Sequence, residues 1–182
     1  MIQLLQASPK KLFNFNQILK PKKSSSSFSS HISFEKPQQQ GLLIGSPASG
    51  KNTILNHINQ LDFPFDIISL SNDVAIENYK NFMFDTSFII FVFDCTMTSD
   101  LYFQYVNHIL DVLITNYHSI DSQELKILIL LNKLDLAGPE TSTRVIENHL
   151  KLSRYSHVNY LALPCNGVLN YGVSEGVNWL LI

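Results

Sequence analysis

The stretch that decides the fold is GLLIGSPASGKNT, residues 41–53. It opens with a short apolar run, and the residues from Lys51 onward can form a helix. Gly45, Gly50 and Lys51 have the spacing of a phosphate-binding loop, in the strand–loop–helix context that this motif needs. Its backbone amides can surround phosphate oxygens, and a plain Gly/Ser turn is the alternative. The candidate phosphate-binding residues are Gly45, Ala48, Ser49, Gly50, Lys51, Asn52 and Thr53.

From residue 41 onward, apolar runs alternate with segments of helical periodicity. The runs at 87–94 and 125–133 are almost entirely apolar, which is typical of strands buried on both faces. Strands separated by helices predict an α/β fold with a mostly parallel sheet that helices cover on both faces. The predicted strands are 41–45, 66–70, 87–94, 125–133 and 158–165, and the predicted helical segments are 51–60, 72–84, 99–117, 139–152 and 172–182.

A second motif, NKLD at residues 132–135, ends one of the predicted strands. Ligands of doubly wound sheets bind at the carboxyl ends of strands. The Asp135 carboxylate can accept hydrogen bonds from N1 and the exocyclic amine of guanine, whereas adenine presents a different donor pattern. Asn132 can bond the base and tether neighbouring loops, and the Lys133 stem can lie on the base plane. The motif therefore predicts guanine binding, with an ordinary polar loop as the alternative.

A third segment, LPCNG at residues 163–167, follows the last predicted strand, and the backbone around Cys165 and Asn166 can contact guanine O6. In this order, GSPASGKNTIL, FIIFVFD, ILLNKLDL, LPCNG and SEGVNWL resemble a small P-loop GTPase of the ADP-ribosylation factor (Arf)-like group. The resemblance covers residues 41–182. It implies a Rossmann-like three-layer sandwich of the P-loop NTPase (small G-protein) type, with GTP or GDP as the ligand. It also implies trafficking or regulatory proteins as partners and a role in intracellular (vesicle) transport.

Three departures from the family pattern lie on the γ-phosphate side. Asn52 replaces the Ser or Thr whose hydroxyl ligates Mg²⁺, so it is a weak metal candidate. Few residues remain between the first helix and the strand at 66–70, so switch I and its adjoining strand are expected to be shortened or missing. No glycine occurs between Lys51 and Gly138, so the family's Asp-x-x-Gly-Gln motif is absent, with Asp73 as the nearest carboxylate.

These losses predict nucleotide binding with weak or absent GTP hydrolysis and without a conventional GTP/GDP switch, because phosphoryl transfer depends mainly on positioning and electrostatics. No residue is assigned a catalytic role, and Mg²⁺ binding is expected to be weak. One alternative is a pseudo-GTPase scaffold that binds partners and no nucleotide. Another is an ATP-using P-loop kinase, in which the NKLD motif would have no role.

The N-terminal segment differs from the rest of the chain in composition. Residues 1–34 contain five lysines and no acidic residue, although the whole chain has a net charge of −2, which argues against nucleic-acid binding. We expect residues 1–40 to be a disordered tail and residues 41–182 to be the domain. Residues 1–20 are compatible with an amphipathic helix that contacts endomembranes peripherally, and 1–34 with mitochondrial targeting or a plain tail. Two cysteines and no bilayer-length apolar run fit a cytoplasmic protein.

Overall fold

The computed structural model describes residues 40–71, 73–74, 77, 86–117, 124–139, 141–155 and 158–182. The predictions for the N-terminal tail, its amphipathic helix and its targeting signal lie outside the described residues. Most of the predicted helical segment 72–84 does as well. No helix of the described residues is long and apolar enough to cross a membrane.

The described residues form one five-stranded sheet in the order β2-β1-β3-β4-β5, and every neighbouring pair is parallel. This confirms the predicted α/β fold with a parallel sheet. Each observed strand agrees with its predicted position to within one residue at either end. The strands are β1 Gln40–Gly45, β2 Asp66–Ser71, β3 Thr86–Asp94, β4 Lys126–Asn132 and β5 Asn159–Cys165.

Helices cover both faces of the sheet and make it the middle of three layers. One apolar core lies between the sheet and helices α2 and α3, and a second lies between the sheet and helices α1 and α4. Alternate residues of β1 contribute to the two cores: Leu42 and Ile44 lie in the first, and Leu43 lies in the second. The helices are α1 Lys51–Ile58, α2 Asp100–Thr115, α3 Thr143–Leu150 and α4 Val173–Leu180, and 3₁₀ turns occur at Leu134–Leu136 and Leu152–Arg154.

The start of α3 differs from the sequence-based expectation. The prediction placed it at Pro139, but the helix begins at Thr143. Ser142 has an extended backbone, and its side chain accepts a hydrogen bond from the Val145 amide at 3.4 Å. A serine in this N-cap geometry satisfies an amide that the helix leaves unpaired, which fixes the boundary there.

The connection between α1 and β2 is only seven residues long, 59–65, and contains no strand. Phe63 and Phe65 within it are half-buried and pack on Phe88 of β3, with ring centroids 5.7 and 5.5 Å apart. The chain therefore passes from α1 to β2 along the sheet surface. This confirms the predicted shortening at the position of switch I and its strand.

Candidate functional site

The residues singled out from the sequence converge on the carboxyl edge of the sheet. The loop of residues 45–51, which we call the phosphate loop, connects the end of β1 to the start of α1. In the neighbouring strands, Asp94 at the end of β3 pairs in register with Asn132 of β4, and Asn132 pairs with Cys165 of β5. Parallel pairing therefore brings together residues that are far apart in the sequence, at the edge where doubly wound sheets bind ligands.

The loop between β1 and α1 has the backbone conformation that its glycines permit. Gly50 has a φ of 96° and Ala48 a φ of 61°. A side chain on Gly50 would collide with the Asn132 carboxamide, and one on Gly45 would come within 2.7 Å of the Val92 carbonyl oxygen. Glycine is thus required at these two positions by local geometry, whatever the loop binds.

Lys51 turns back over the loop from which α1 begins. Its Nζ donates to the carbonyl oxygens of Gly45 at 2.6 Å and Ser46 at 3.0 Å. Partial burial lowers the pKa of Lys51 below its ordinary value. The ammonium group of Lys51 therefore lies inside the curve of the loop, where its positive charge can attract an anion.

Asn132 joins three segments of the site. It is buried, and its Nδ2 donates to the Ser49 carbonyl oxygen at 2.8 Å. Its Oδ1 accepts from the Gly167 amide at 2.9 Å, and the Cys165 thiol lies 3.8 Å from the same oxygen. One carboxamide therefore ties the end of β4 to the phosphate loop and to the segment after β5. The tethering role expected of Asn132 is present in the structure.

Lys133 makes a second connection to the phosphate loop. Its Nζ donates to the Ala48 carbonyl oxygen at 2.7 Å and forms an ion pair with Asp94 Oδ2 at 2.6 Å. Asp94 Oδ1 also accepts from the amide and hydroxyl of Thr96, at 3.0 and 2.6 Å. Burial alone would raise the pKa of Asp94, but the hydrogen bonds from Lys133 and Thr96 outweigh it and hold the pKa below its usual value.

Sequence reasoning did not identify Asp94 as part of the site. The signal was present in FIIFVFD, since a carboxylate that ends an otherwise apolar strand needs a partner at the sheet edge. What the sequence could not supply was the partner, Lys133, which lies 39 positions away.

An open cleft of about 520 Å³ lies between the phosphate loop and the loops that follow β4 and β5. This volume is in the range of small-molecule sites. Seven predicted residues line it: Ala48, Gly50, Thr53, Asn132, Lys133, Asp135 and Asn166. The other lining residues were not predicted: Leu136, Gly167, Val168 and Leu169. Predicted residues that do not line it are Gly45, Ser49, Lys51, Asn52 and Cys165.

The segment after β5 forms a tight loop, residues 166–171, which we call the base loop. Asn166 Oδ1 accepts from the amides of Val168 and Leu169 at 3.0 Å each. The backbones of Asn166 and Tyr171 form a hydrogen-bonded pair at 3.0 and 3.2 Å. Val168 and Leu169 are therefore held on the cleft wall with 83% and 75% of their surface exposed.

The residues around Asn52 fit a divalent cation poorly. Asn52 is exposed, and no hydroxyl occupies its position. Asp94, at the nearby sheet edge, is already engaged by Lys133 and Thr96. Within the described ranges, no three His, Cys, Asp or Glu side chains converge to hold a metal.

The side of the loop opposite the cleft contacts α2. The hydroxyls of Ser46 and Tyr102 are both buried and lie 3.0 Å apart. After β2, the Asp73 carboxylate accepts a hydrogen bond from the Tyr105 hydroxyl at 2.5 Å. Asp73 is thus held by α2, and the rest of the segment where the family's Asp-x-x-Gly-Gln motif was sought lies largely outside the described residues.

Comparison with known proteins matches residues 65–182 to the model of the ADP-ribosylation factor family. The chain is 25% identical to ADP-ribosylation factor F of Dictyostelium discoideum over an alignment of 158 residues, and the match covers 77% of this chain and 82% of that protein. Among solved structures it is similar to the Arl6 (BBS3) small GTPase of Trypanosoma brucei with bound nucleotide analogue GppNp. That likeness has a TM-score of 0.64 and 18% identity, covers 79% of this chain and 95% of the other, and concerns the fold. The chain therefore belongs to the ADP-ribosylation factor family.

Proposed function

We propose that this protein binds GDP or GTP in the cleft and hydrolyses GTP weakly or not at all. Family membership and the similarity to a small GTPase with a bound nucleotide analogue support a guanine nucleotide as the ligand. Trafficking or regulatory proteins are the proposed partners, and intracellular (vesicle) transport is the proposed setting. The departures on the γ-phosphate side support the lack of efficient hydrolysis.

One observation carries the proposal: the NKLD motif is bonded to the phosphate loop. Asn132 reaches the Ser49 carbonyl oxygen and Lys133 reaches the Ala48 carbonyl oxygen, at 2.8 and 2.7 Å. A base held by the one motif and phosphates held by the other would therefore belong to the same molecule.

We assign the base to the end of the cleft lined by Asp135. This carboxylate is exposed, unlike the other acid of the site, Asp94, and so is free to accept from guanine N1 and the exocyclic amine. The backbone at Cys165 and Asn166 would contact O6, which requires the Asn166 amide to exchange its bond to the Tyr171 carbonyl oxygen for one to the base. The phosphates would lie against the amides of the phosphate loop, with Lys51 supplying the positive charge.

Weak hydrolysis is supported by what surrounds the γ-phosphate position. The seven residues 59–65 connect α1 directly to β2, with Phe63 and Phe65 packed on Phe88, so this connection has no loop that could fold over a third phosphate. Asn52 stands where a metal-ligating hydroxyl is expected, so the bound nucleotide would depend little on Mg²⁺. Without these groups the transition-state charge is not stabilised and water is not positioned.

Titration with fluorescent GDP, GTP and ATP, each with Mg²⁺ and with chelator, tests the ligand. We expect guanine-selective, saturable binding that changes little on chelation. Asp135→Asn should weaken GDP binding about 100-fold, because two hydrogen bonds to a charged acceptor are lost. Asp62→Asn is the matched control, since Asp62 is an exposed acid outside the cleft lining. Equal GDP affinity in the two variants would contradict the base assignment.

Single-turnover phosphate release from GTP tests the second half of the proposal. We expect release no faster than from GTP in buffer, since the chain lacks the groups that position water. Saturable release at the rate of ordinary family members would overturn the claim of weak hydrolysis while leaving nucleotide binding intact.

A nucleotide-free pseudo-GTPase scaffold is the second candidate function. It is favoured by Lys51, whose ammonium is already satisfied by the carbonyl oxygens of Gly45 and Ser46 without any phosphate. Absence of binding to all three nucleotides at millimolar concentration supports the scaffold. A preference for ATP would instead support a P-loop kinase.

The proposed setting is cytoplasmic, with peripheral contact to endomembranes through residues 1–20. Family membership supports it, and mitochondrial targeting by residues 1–34 remains the competing proposal. Imaging the tagged full chain beside a variant that lacks residues 1–20 separates them. Loss of an endomembrane pattern on deletion supports the first proposal, and loss of a mitochondrial pattern supports the second.

A further inference from the structure

A hydrogen bond outside the predicted motifs joins helix α1 to the base loop. His57 Nε2 lies 2.7 Å from the Gly167 carbonyl oxygen, although the two residues are 110 positions apart. A carbonyl oxygen can only accept, so Nε2 carries the hydrogen and donates. The other ring nitrogen, Nδ1, is buried and has no hydrogen-bond partner among the described residues. The hydrogen bond of Nε2 to the base loop thus fixes the orientation of the ring.

Gly167 is fixed from both sides by this bond and by Asn132. Its amide donates to Asn132 Oδ1 at 2.9 Å, while its carbonyl accepts from His57. An added Cβ would lie 3.2 Å from Ile54, so Gly167 packs directly on α1. Gly167 is therefore clamped through the peptide groups on its two sides, one bonded to Asn132 at the end of β4 and the other to α1. Val168 and Leu169 follow it onto the cleft wall.

We propose that His57 is a positioning residue that fixes the base loop relative to the phosphate loop and thereby sets nucleotide affinity through the base. The inference rests on the proposed function, because it concerns the same cleft. Helix α1 carries Lys51 at its first turn and His57 in its last, about 9 Å further along the axis. A rigid helix thus transmits the position of the phosphate loop to Gly167.

Two substitutions of His57 distinguish the effect of losing its hydrogen bond from the effect of losing the imidazole ring. Glutamine carries its amide nitrogen at about the reach of His57 Nε2, whereas asparagine reaches only as far as Nδ1. His57→Gln should keep the bond to Gly167, and His57→Asn should lose it. His108→Asn on α2 is the matched control, since this histidine is exposed and lies away from the cleft.

The readout is competition for the site by GDP and by inorganic pyrophosphate, which has phosphates and no base. We expect His57→Asn to weaken GDP about tenfold and to leave pyrophosphate within about twofold, because one hydrogen bond to the base loop is lost. His57→Gln and His108→Asn should resemble the unmodified protein with both ligands. Equal weakening of GDP and pyrophosphate, or failure of glutamine to restore GDP binding, would overturn the inference.

Amide hydrogen exchange of the nucleotide-free protein tests the bond between His57 and the base loop without requiring that the protein bind a nucleotide. His57→Asn should speed exchange at Gly167, Val168 and Leu169, and His57→Gln should not. If the unmodified chain binds no guanine nucleotide, the proposed function is wrong, and so is the affinity role of His57. The tether itself then stands or falls on exchange alone, and unchanged exchange in His57→Asn would refute it.

Discussion

Two serines of the phosphate loop have opposite hydrogen-bonding situations although both are buried. The Ser46 hydroxyl pairs with Tyr102 at 3.0 Å, whereas the Ser49 hydroxyl has no hydrogen-bond partner in the part of the chain that the structure describes. A buried polar group without a partner costs free energy, and a paired one does not. The two residues therefore form a natural comparison within one loop.

Removing each hydroxyl should change stability in opposite directions. Ser46→Ala should lower the free energy of unfolding by about 1–2 kcal/mol, since it leaves the Tyr102 hydroxyl without this partner. Ser49→Ala should leave the free energy unchanged or raise it by about 1 kcal/mol, since it removes an unsatisfied group. Urea denaturation measures both, and a larger loss for Ser49→Ala would contradict the hydrogen-bond assignment.

Asp94 gives the site a dependence on pH whose sign follows from its lowered pKa. The unfolded carboxyl titrates near 3.8 and the folded one below that value. The ionised group therefore stabilises the fold above pH 3.8, and this contribution is lost as the pH falls through the folded pKa.

Asp94→Asn should reduce the free energy of unfolding at pH 7 by about 2 kcal/mol, because the Lys133 ammonium loses its charged partner. The difference from the unmodified protein should shrink as the pH falls below 3.8. Denaturant titrations at several pH values measure it. A difference that grows towards low pH would refute the linkage.

At the scale of single elements, the N-terminus of α3 shows how a cap competes with a proline. Pro139 suits a helix start, and the sequence-based prediction used it. Ser142 adopts the cap geometry instead, and the helix begins after it. A side-chain oxygen that satisfies a free amide is more favourable than a ring that only sets φ.

Substitution tests this boundary directly. Ser142→Ala should cost about 1 kcal/mol of unfolding free energy, because the Val145 amide loses its acceptor. Pro139→Ala, the matched change at the predicted start, should alter stability by less than about 0.5 kcal/mol. Thermal unfolding distinguishes them, and an equal cost for the two variants would place the helix start at Pro139.

At the scale of the whole molecule, the two ends of the cleft differ in how completely they are built. Asn132, Lys133 and His57 brace the end proposed for the base: their bonds join the end of β4 to the phosphate loop, and the base loop to β4 and α1. The end proposed for the γ-phosphate has a seven-residue connection from α1 to β2 and an exposed Asn52. Nucleotide recognition should therefore be insensitive to the third phosphate.

We expect GDP and GTP to bind with affinities within about threefold of each other, because the protein would recognise the third phosphate of GTP little. A ligand shifts a conformational equilibrium only when its contacts differ between the two states. Hydrogen-exchange patterns of the two complexes should coincide over the described residues. Calorimetry and exchange mass spectrometry measure these quantities. A tenfold preference, or a segment protected only by GTP, would indicate a working switch.

How much of the structure could be predicted from the sequence depends on whether the interactions join residues that are near or far apart along the chain. Strand positions and helical periodicity depend on neighbouring residues, and the five predicted strands and four of the five predicted helical segments are confirmed. The fifth segment, 72–84, lies mostly outside the described residues. The shortened link 59–65 was also predictable, because chain length limits what can be built. The start of α3 was predicted wrongly, because Pro139 and Ser142 lie close together and both are residue types that favour a helix start.

The sequence by itself determined the α/β fold and the candidate residues at the ends of its strands, because apolar periodicity and loop spacing are local properties. Only the tertiary structure decided which distant groups meet. It paired Asp94 with Lys133, placed Asn132 against Ser49 and Gly167, and brought His57 to the base loop. These contacts depend on strand order and register, which position groups 35 to 110 residues apart within hydrogen-bond distance. No local pattern specifies that geometry.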